Sequence, residues 1–126
     1  MPFTPGRPLA EAKADLFKAL AHPARIRVLE LLAEGERTIG ELAAGTGLEL
    51  SHLSQQVSVL RRAGIVDSRR AGNNVICSLS DPQTAELLAV ARRMLTANLR
   101  HGQALLEALD GVADAVSLAD SARAPG

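Results

Sequence analysis

The stretch Ser51-His52-Leu53-Ser54-Gln55-Gln56-Val57-Ser58-Val59-Leu60-Arg61-Arg62-Ala63-Gly64-Ile65-Val66 reads as one helix and its stop. Leu53, Val57 and Leu60 recur at helical spacing and make an inward stripe. Ser51, His52, Ser54, Gln55, Ser58, Arg61 and Arg62 are left for outward or flanking positions. Ser51 is placed to cap the helix, which runs to about Ala63, and Gly64 ends it. Two strands follow, about Val66 to Arg70 and Val75 to Leu79, joined by Ala71-Gly72-Asn73-Asn74. Gly and Asn tolerate the positive φ that a tight hairpin needs. A helix lined with small hydrogen-bonding side chains, followed by a hairpin carrying Arg69 and Arg70, suits the reading of DNA and little else.

Upstream, Thr38-Ile39-Gly40-Glu41 matches a capping box, in which the threonine oxygen and the glutamate each satisfy an early N–H. It opens a short helix, roughly Ile39 to Ala44, that stops at Gly45-Thr46-Gly47. Two short helices with a glycine-containing turn, then a hairpin, describe a winged helix-turn-helix. Before them, Leu9, Leu16, Phe17 and Leu20 give a first helix from about Leu9 to Leu20. His22-Pro23 interrupts it, and Pro23 suits the first turn of a second helix. Ile26, Leu29 and Leu32 line that helix, and Gly35 ends it. Residues 1–8 read as a loose tail.

Downstream, Ser80 or Asp81 caps a last helix, about Pro82 to Leu109. Leu88, Ala91, Leu95, Leu99, Gly102, Leu106 and Leu109 form one stripe, broadened by Leu87, Val90 and Met94. The arc is wider than one small domain requires on one side. Gly102 costs about 1 kcal/mol against Ala in mid-helix, and it would let another helix approach closely. The expectation is a homodimer interface built from Leu9 and Leu16 of the first helix and Leu88, Ala91, Leu95, Leu99, Gly102 and Leu106 of the last. The alternative is a helix packed wholly on its own domain. One domain is expected over 9–110, mainly α with a small β-hairpin, and a fraying tail over 111–126.

Composition sets the bounds. The 126 residues are 47% hydrophobic and 22% charged, enough for a packed core. With two Phe and no Trp or Tyr, that core must be aliphatic. Net charge is zero, but Ser51–Ser80 carries four Arg against one Asp, a balance of +3. Such a patch on a neutral protein can attract phosphates while limiting non-specific binding. The lone Cys77 excludes a disulfide within the chain and fits a reducing cytoplasm. No apolar signal segment and no run of about 18 apolar residues is present, so no membrane partner is expected.

In the groove-facing helix, Gln55 can pair bidentately with adenine, and Ser51, His52 and Ser54 can reach bases or phosphates. Arg61 and Arg62 fall too late to read the same bases; phosphate contacts and solvated charge fit them equally. Arg69, Arg70, Asn73 and Asn74 would place the wing over the backbone or in the minor groove. His22 is read as structural, His101 as unpaired on the last helix, and Cys77 as a small inward hydrophobe. Three separated histidines, a strand cysteine and no phosphate loop give no catalytic constellation, so no enzyme is expected.

Leu20-Ala21-His22-Pro23-Ala24-Arg25-Ile26-Arg27-Val28-Leu29-Glu30-Leu31-Leu32 and Ser54-Gln55-Gln56-Val57-Ser58-Val59-Leu60-Arg61-Arg62-Ala63-Gly64-Ile65-Val66 resemble the second-helix signature and the recognition helix of the ArsR/SmtB winged-helix repressors. The likeness covers roughly Leu9 to Leu109. It implies a homodimer joined through the first and last helices, an inverted-repeat operator in double-stranded DNA, and release by an inducer. By matching positions it makes Ser54, Gln55 and Ser58 the groove contacts, with Gln56 standing where the family often has His. The chain also departs from the family. Glu41-Leu42-Ala43-Ala44-Gly45 carries no cysteine, Asp81 lacks a nearby histidine, and His101 stands alone. Neither family metal pattern is intact, so no cofactor is predicted and the inducer, small molecule or metal, is not named. Two alternatives stay open: a metal- or redox-responsive regulator, repressor or activator, using His22, His101 or Cys77 across a dimer, and a winged-helix protein-interaction module.

Overall fold

The computed structural model describes residues 8–123, apart from the side chains at 113, 114 and 117–123. Its elements run α1 (Leu9–Leu20), α2 (Pro23–Ala33), β1 (Arg37–Thr38), α3 (Ile39–Thr46), α4 (Leu50–Arg62), β2 (Val66–Ala71), β3 (Asn74–Leu79) and α5 (Gln83–Arg123). The tail expected over 1–8 lies outside the described residues except for Pro8. The chain divides into two compact units, Met1–Leu88 and Ala89–Gly126.

The first unit holds an aliphatic core of Leu20, Val28, Leu29, Leu32, Leu42, Leu53, Val57, Leu60, Ile65, Val66 and Cys77. Each fully buried Leu or Val in it contributes about 1.5–3 kcal/mol of transfer free energy. α2 supplies Val28 as well as the expected Leu29 and Leu32, while Ile26 is only partly buried. Leu16 of α1 and Leu87 and Leu88 of α5 pack on this core from the side. The helix α5 runs on from Leu88 through residue 110 without a break.

Local signals set most helix ends. His22 caps α2 by accepting from the Ala24 N–H at Nδ1, and Pro23 occupies the first turn. The Thr38–Glu41 capping box forms in full. α3 runs past Gly45 to Thr46 and stops at Gly47, whose φ of 73° lets its N–H close on the Ala43 carbonyl. α4 ends in a Schellman arrangement: Ile65 N–H reaches Leu60 O, Gly64 N–H reaches Arg61 O, and Gly64 takes a φ of 76°.

Four expectations change. α4 begins at Leu50 with Glu49 as the extended cap residue, and Glu49 makes no side-chain cap bond. Ser51 is thus inside the first turn, because the Leu53 N–H already closes on the Glu49 carbonyl. A third strand appears: β1 pairs with β3 through Arg37↔Cys77 and Thr38↔Ile76, giving the order β1-β3-β2. Two residues are too few for an alternation that sequence could reveal. The hairpin is tighter than expected, since Ala71 pairs with Asn74 and only Gly72 (φ 63°) and Asn73 turn the chain. α5 starts at Gln83, with Asp81 rather than Ser80 accepting from its N–H, and it continues through Gly111 to Arg123. The tail expected over 111–126 is helical to Arg123, and 124–126 lie outside the described residues.

Along α5 beyond Leu88, Met94, Leu95, Leu99, Leu105, Leu106, Leu109, Val112 and Val116 are all exposed.

Gly47 is the sharpest test of the turn. A Cβ there would meet nothing within 4 Å, so only the left-handed backbone resists it. Gly47→Ala should lower the unfolding free energy by about 1–2 kcal/mol, read from urea denaturation with an unchanged slope.

Candidate nucleic-acid interface

α4 has two faces fixed by its period. Leu53, Gln56, Val57 and Leu60 are buried. Ser51, Ser54, Gln55 and Ser58 lie at i, i+3, i+4 and i+7 on another face. Ser51, His52, Ser54 and Gln55 are exposed, and Ser58 is half-buried. Gln56, expected among the DNA contacts, is not on that exposed face. It is 9% exposed, and its Oε1 accepts from Arg25 Nε at 2.8 Å. The inward stripe had already marked that place, since 56 completes the i, i+3, i+4, i+7 series begun at Leu53. A buried amide needs a hydrogen-bond partner, and Arg25, 31 residues away in sequence, supplies it.

His52 is exposed but turned toward α2, its ring edge-on to His22 with centroids 6.5 Å apart. Leu50, 56% exposed, adds an apolar side chain at the start of the same helix that sequence reasoning did not single out.

The arginines divide. Arg61 Nη1 donates to Ser68 Oγ at 3.1 Å, tying the end of α4 to β2. Arg69 makes a bidentate pair with Glu36, with Nη1–Oε1 at 2.8 Å and Nη2–Oε2 at 3.0 Å. These bonds hold the Glu36 carboxyl below its ordinary range and raise Arg69 further. Glu36 lies in the connection before β1, so the pair links β2 to that connection. Arg62 and Arg70 are exposed and have no hydrogen bond or ion pair among the described residues. Asn73 and Asn74 are exposed at the hairpin tip. The wing base is closed by Ser80 Oγ donating to Asp67 Oδ1 at 2.9 Å.

His22 uses Nδ1 for its cap. Cys77 is fully buried, and burial pushes its thiol pKa up against the opposing charge of Arg61; a protonated thiol is a poor nucleophile. Among the described residues no three His, Cys, Asp or Glu side chains come together as a metal site, and His101 is exposed on α5.

Comparison with known proteins fits this geometry. Residues 22–68 match the family model for bacterial regulatory proteins of the arsR family. The HTH-type transcriptional regulator Rv0081 of Mycobacterium tuberculosis is 57% identical over 103 residues, 81% of this chain and 90% of that protein. The chain belongs to the ArsR family. The Rv0081 crystal structure superposes with a TM-score of 0.70, covering 76% of this chain and 97% of that one. The transcriptional repressor BigR from Xylella fastidiosa is 36% identical with a TM-score of 0.64, over 68% of this chain and 87% of that one. A homodimeric winged helix-turn-helix DNA-binding domain from Mycobacterium bovis is 30% identical with a TM-score of 0.68, over 78% and 95% of the two chains. This ArsR-family chain is thus a winged helix-turn-helix transcriptional regulator. No helix among its described residues is long and apolar enough to cross a membrane.

The Glu36–Arg69 brace carries a pH signature. Because Glu36 is depressed on folding, its stabilisation is present above the ordinary carboxylate range and lost as pH falls through the lowered value. Both groups are exposed, so the effect is small. Glu36→Gln should lower Tm at pH 7, and the difference from wild type should shrink on acidification to about pH 3. A pH-independent difference would assign Glu36 another role.

Proposed function

We propose that this regulator binds an inverted-repeat operator as a homodimer and represses transcription from the cytoplasm. The observation that carries the reading is the exposed stripe Ser51, Ser54 and Gln55 on the first two turns of α4, followed by a hairpin that offers Arg70, Asn73 and Asn74. α4 enters the major groove, where Gln55 pairs with an adenine edge and Ser51 and Ser54 reach bases or phosphates. Leu50 suits a thymine methyl. The half-buried Ser58 is a marginal contact at the helix's second half. Arg62 and Arg70 carry the backbone contacts, since Arg61 and Arg69 already serve Ser68 and Glu36.

The dimer reading is supported by exposed apolar side chains: Leu9 at 63% on α1, and Leu95, Leu99 and Leu106 at 63%, 75% and 63% on α5. Ala91 is exposed beside them, and an added Cβ at Gly102 would meet nothing within 4 Å. Leu16 and Leu88 contribute less, because each already packs on its own core. The M. bovis domain is homodimeric and BigR is a repressor, in line with this assignment. A two-fold pair would set half-sites about one turn, 34–36 Å, apart.

Titration of the full chain against the DNA upstream of its own gene should give a salt-sensitive, sequence-dependent gel shift. Absence of any such complex would sink the proposal. Gln55→Ala should cost roughly 1–3 kcal/mol on the preferred site and relax base preference. Arg70→Ala should weaken all sequences alike and reduce the salt slope by about one. Leu99→Glu should shift the sedimenting species from dimer to monomer; an unchanged dimer would place the interface elsewhere.

A further inference from the structure

Gln56 is the one buried polar side chain among the described core residues. Its partner does more than satisfy it. Arg25 stands in the first turn of α2, and its Nε donates to Gln56 Oε1 at 2.8 Å. Through Nη1 the same guanidinium donates to Ala19 O at 3.2 Å and reaches Lys18 O at 3.5 Å. Those carbonyls close the end of α1, where a cation is favoured by the helix dipole. One side chain therefore joins the end of α1, the start of α2 and the middle of α4.

The rest of the α4 seam is Leu53, Val57 and Leu60, all apolar. Apolar burial is non-directional and tolerates a small roll or slide of the helix. A hydrogen bond does not, because it weakens steeply away from its geometry. An unpaired buried amide is also costly. Gln55 and Gln56 are adjacent, so any roll that moves Gln56 from Arg25 moves Gln55 by the same angle.

We propose that Arg25 and Gln56 are a positioning pair for DNA readout: they fix the rotation of α4, and hence the register of Gln55, without themselves touching DNA. The inference rests on the DNA-reading assignment of α4 above.

The test uses the full chain, a duplex that the wild-type protein selects from a random-sequence library, and a scrambled duplex of equal length. Gln56→Leu and Arg25→Met should each cut the ratio of specific to scrambled affinity about tenfold, the scale of one hydrogen bond to a charged group. Scrambled-duplex affinity and the salt slope should stay unchanged. The double variant should be no worse than the poorer single one. Gln56→Glu should keep the ratio near wild type, because a carboxylate accepts from the same Nε. Thermal melts accompany each titration, and where Arg25→Met does not fold, the contrast of Gln56→Leu with Gln56→Glu decides. A salt slope reduced by about one in Arg25→Met would make Arg25 a phosphate contact and overturn the proposal. So would an unchanged ratio in folded Gln56→Leu, or a loss in Gln56→Glu as large as in Gln56→Leu. If the wild-type chain selects no duplex, the DNA-reading assignment fails and this inference falls with it.

Discussion

Leu53, Gln56, Val57 and Leu60 recur at the spacing of one helix face, and all four are buried. That burial holds α4 to the core of α2, α3 and the small sheet. It also dictates what is left outside. With 3.6 residues per turn, a seam at 53, 56, 57 and 60 leaves 51, 54, 55 and 58 on another side. The polar face of this helix is thus a consequence of core packing.

The same economy governs the charges. Four arginines follow α4 or end it, yet two are taken up within the fold. Arg61 ties α4 to β2 through Ser68, and Arg69 ties β2 to the α2–β1 connection through Glu36. These contacts stiffen the wing base at the expense of its free charge. Both are exposed, so they shape the wing more than they stabilise the protein. Arg62 and Arg70 are left exposed and without a partner among the described residues.

α5 changes character along its length. Leu87 and Leu88 pack on the core of the first unit, and the described apolar side chains from Ala89 onward are exposed. A helix that exposes leucines over several turns presents an extended apolar surface.

Much of this was readable from the residues alone. Glycine stops, the Thr38–Glu41 box, Pro23 at a helix start and the Leu53–Val57–Leu60 stripe are local, and local rules gave the helix-turn-helix, the hairpin and the polar face. The inward place of Gln56 was also encoded, as the missing fourth member of its stripe, although a polar side chain masked it. What stayed hidden depends on partners far apart in the chain. Arg25 meets Gln56 across 31 residues and Arg69 meets Glu36 across 33. β1 exists only because β3 lies beside it. The sequence by itself determined which helix carries the polar face and which hairpin follows it, because periodicity and turn chemistry act between near neighbours. Only the tertiary structure decided which arginines are paired and which side chain meets Gln56, because a long flexible side chain takes its partner from whatever the fold brings within reach.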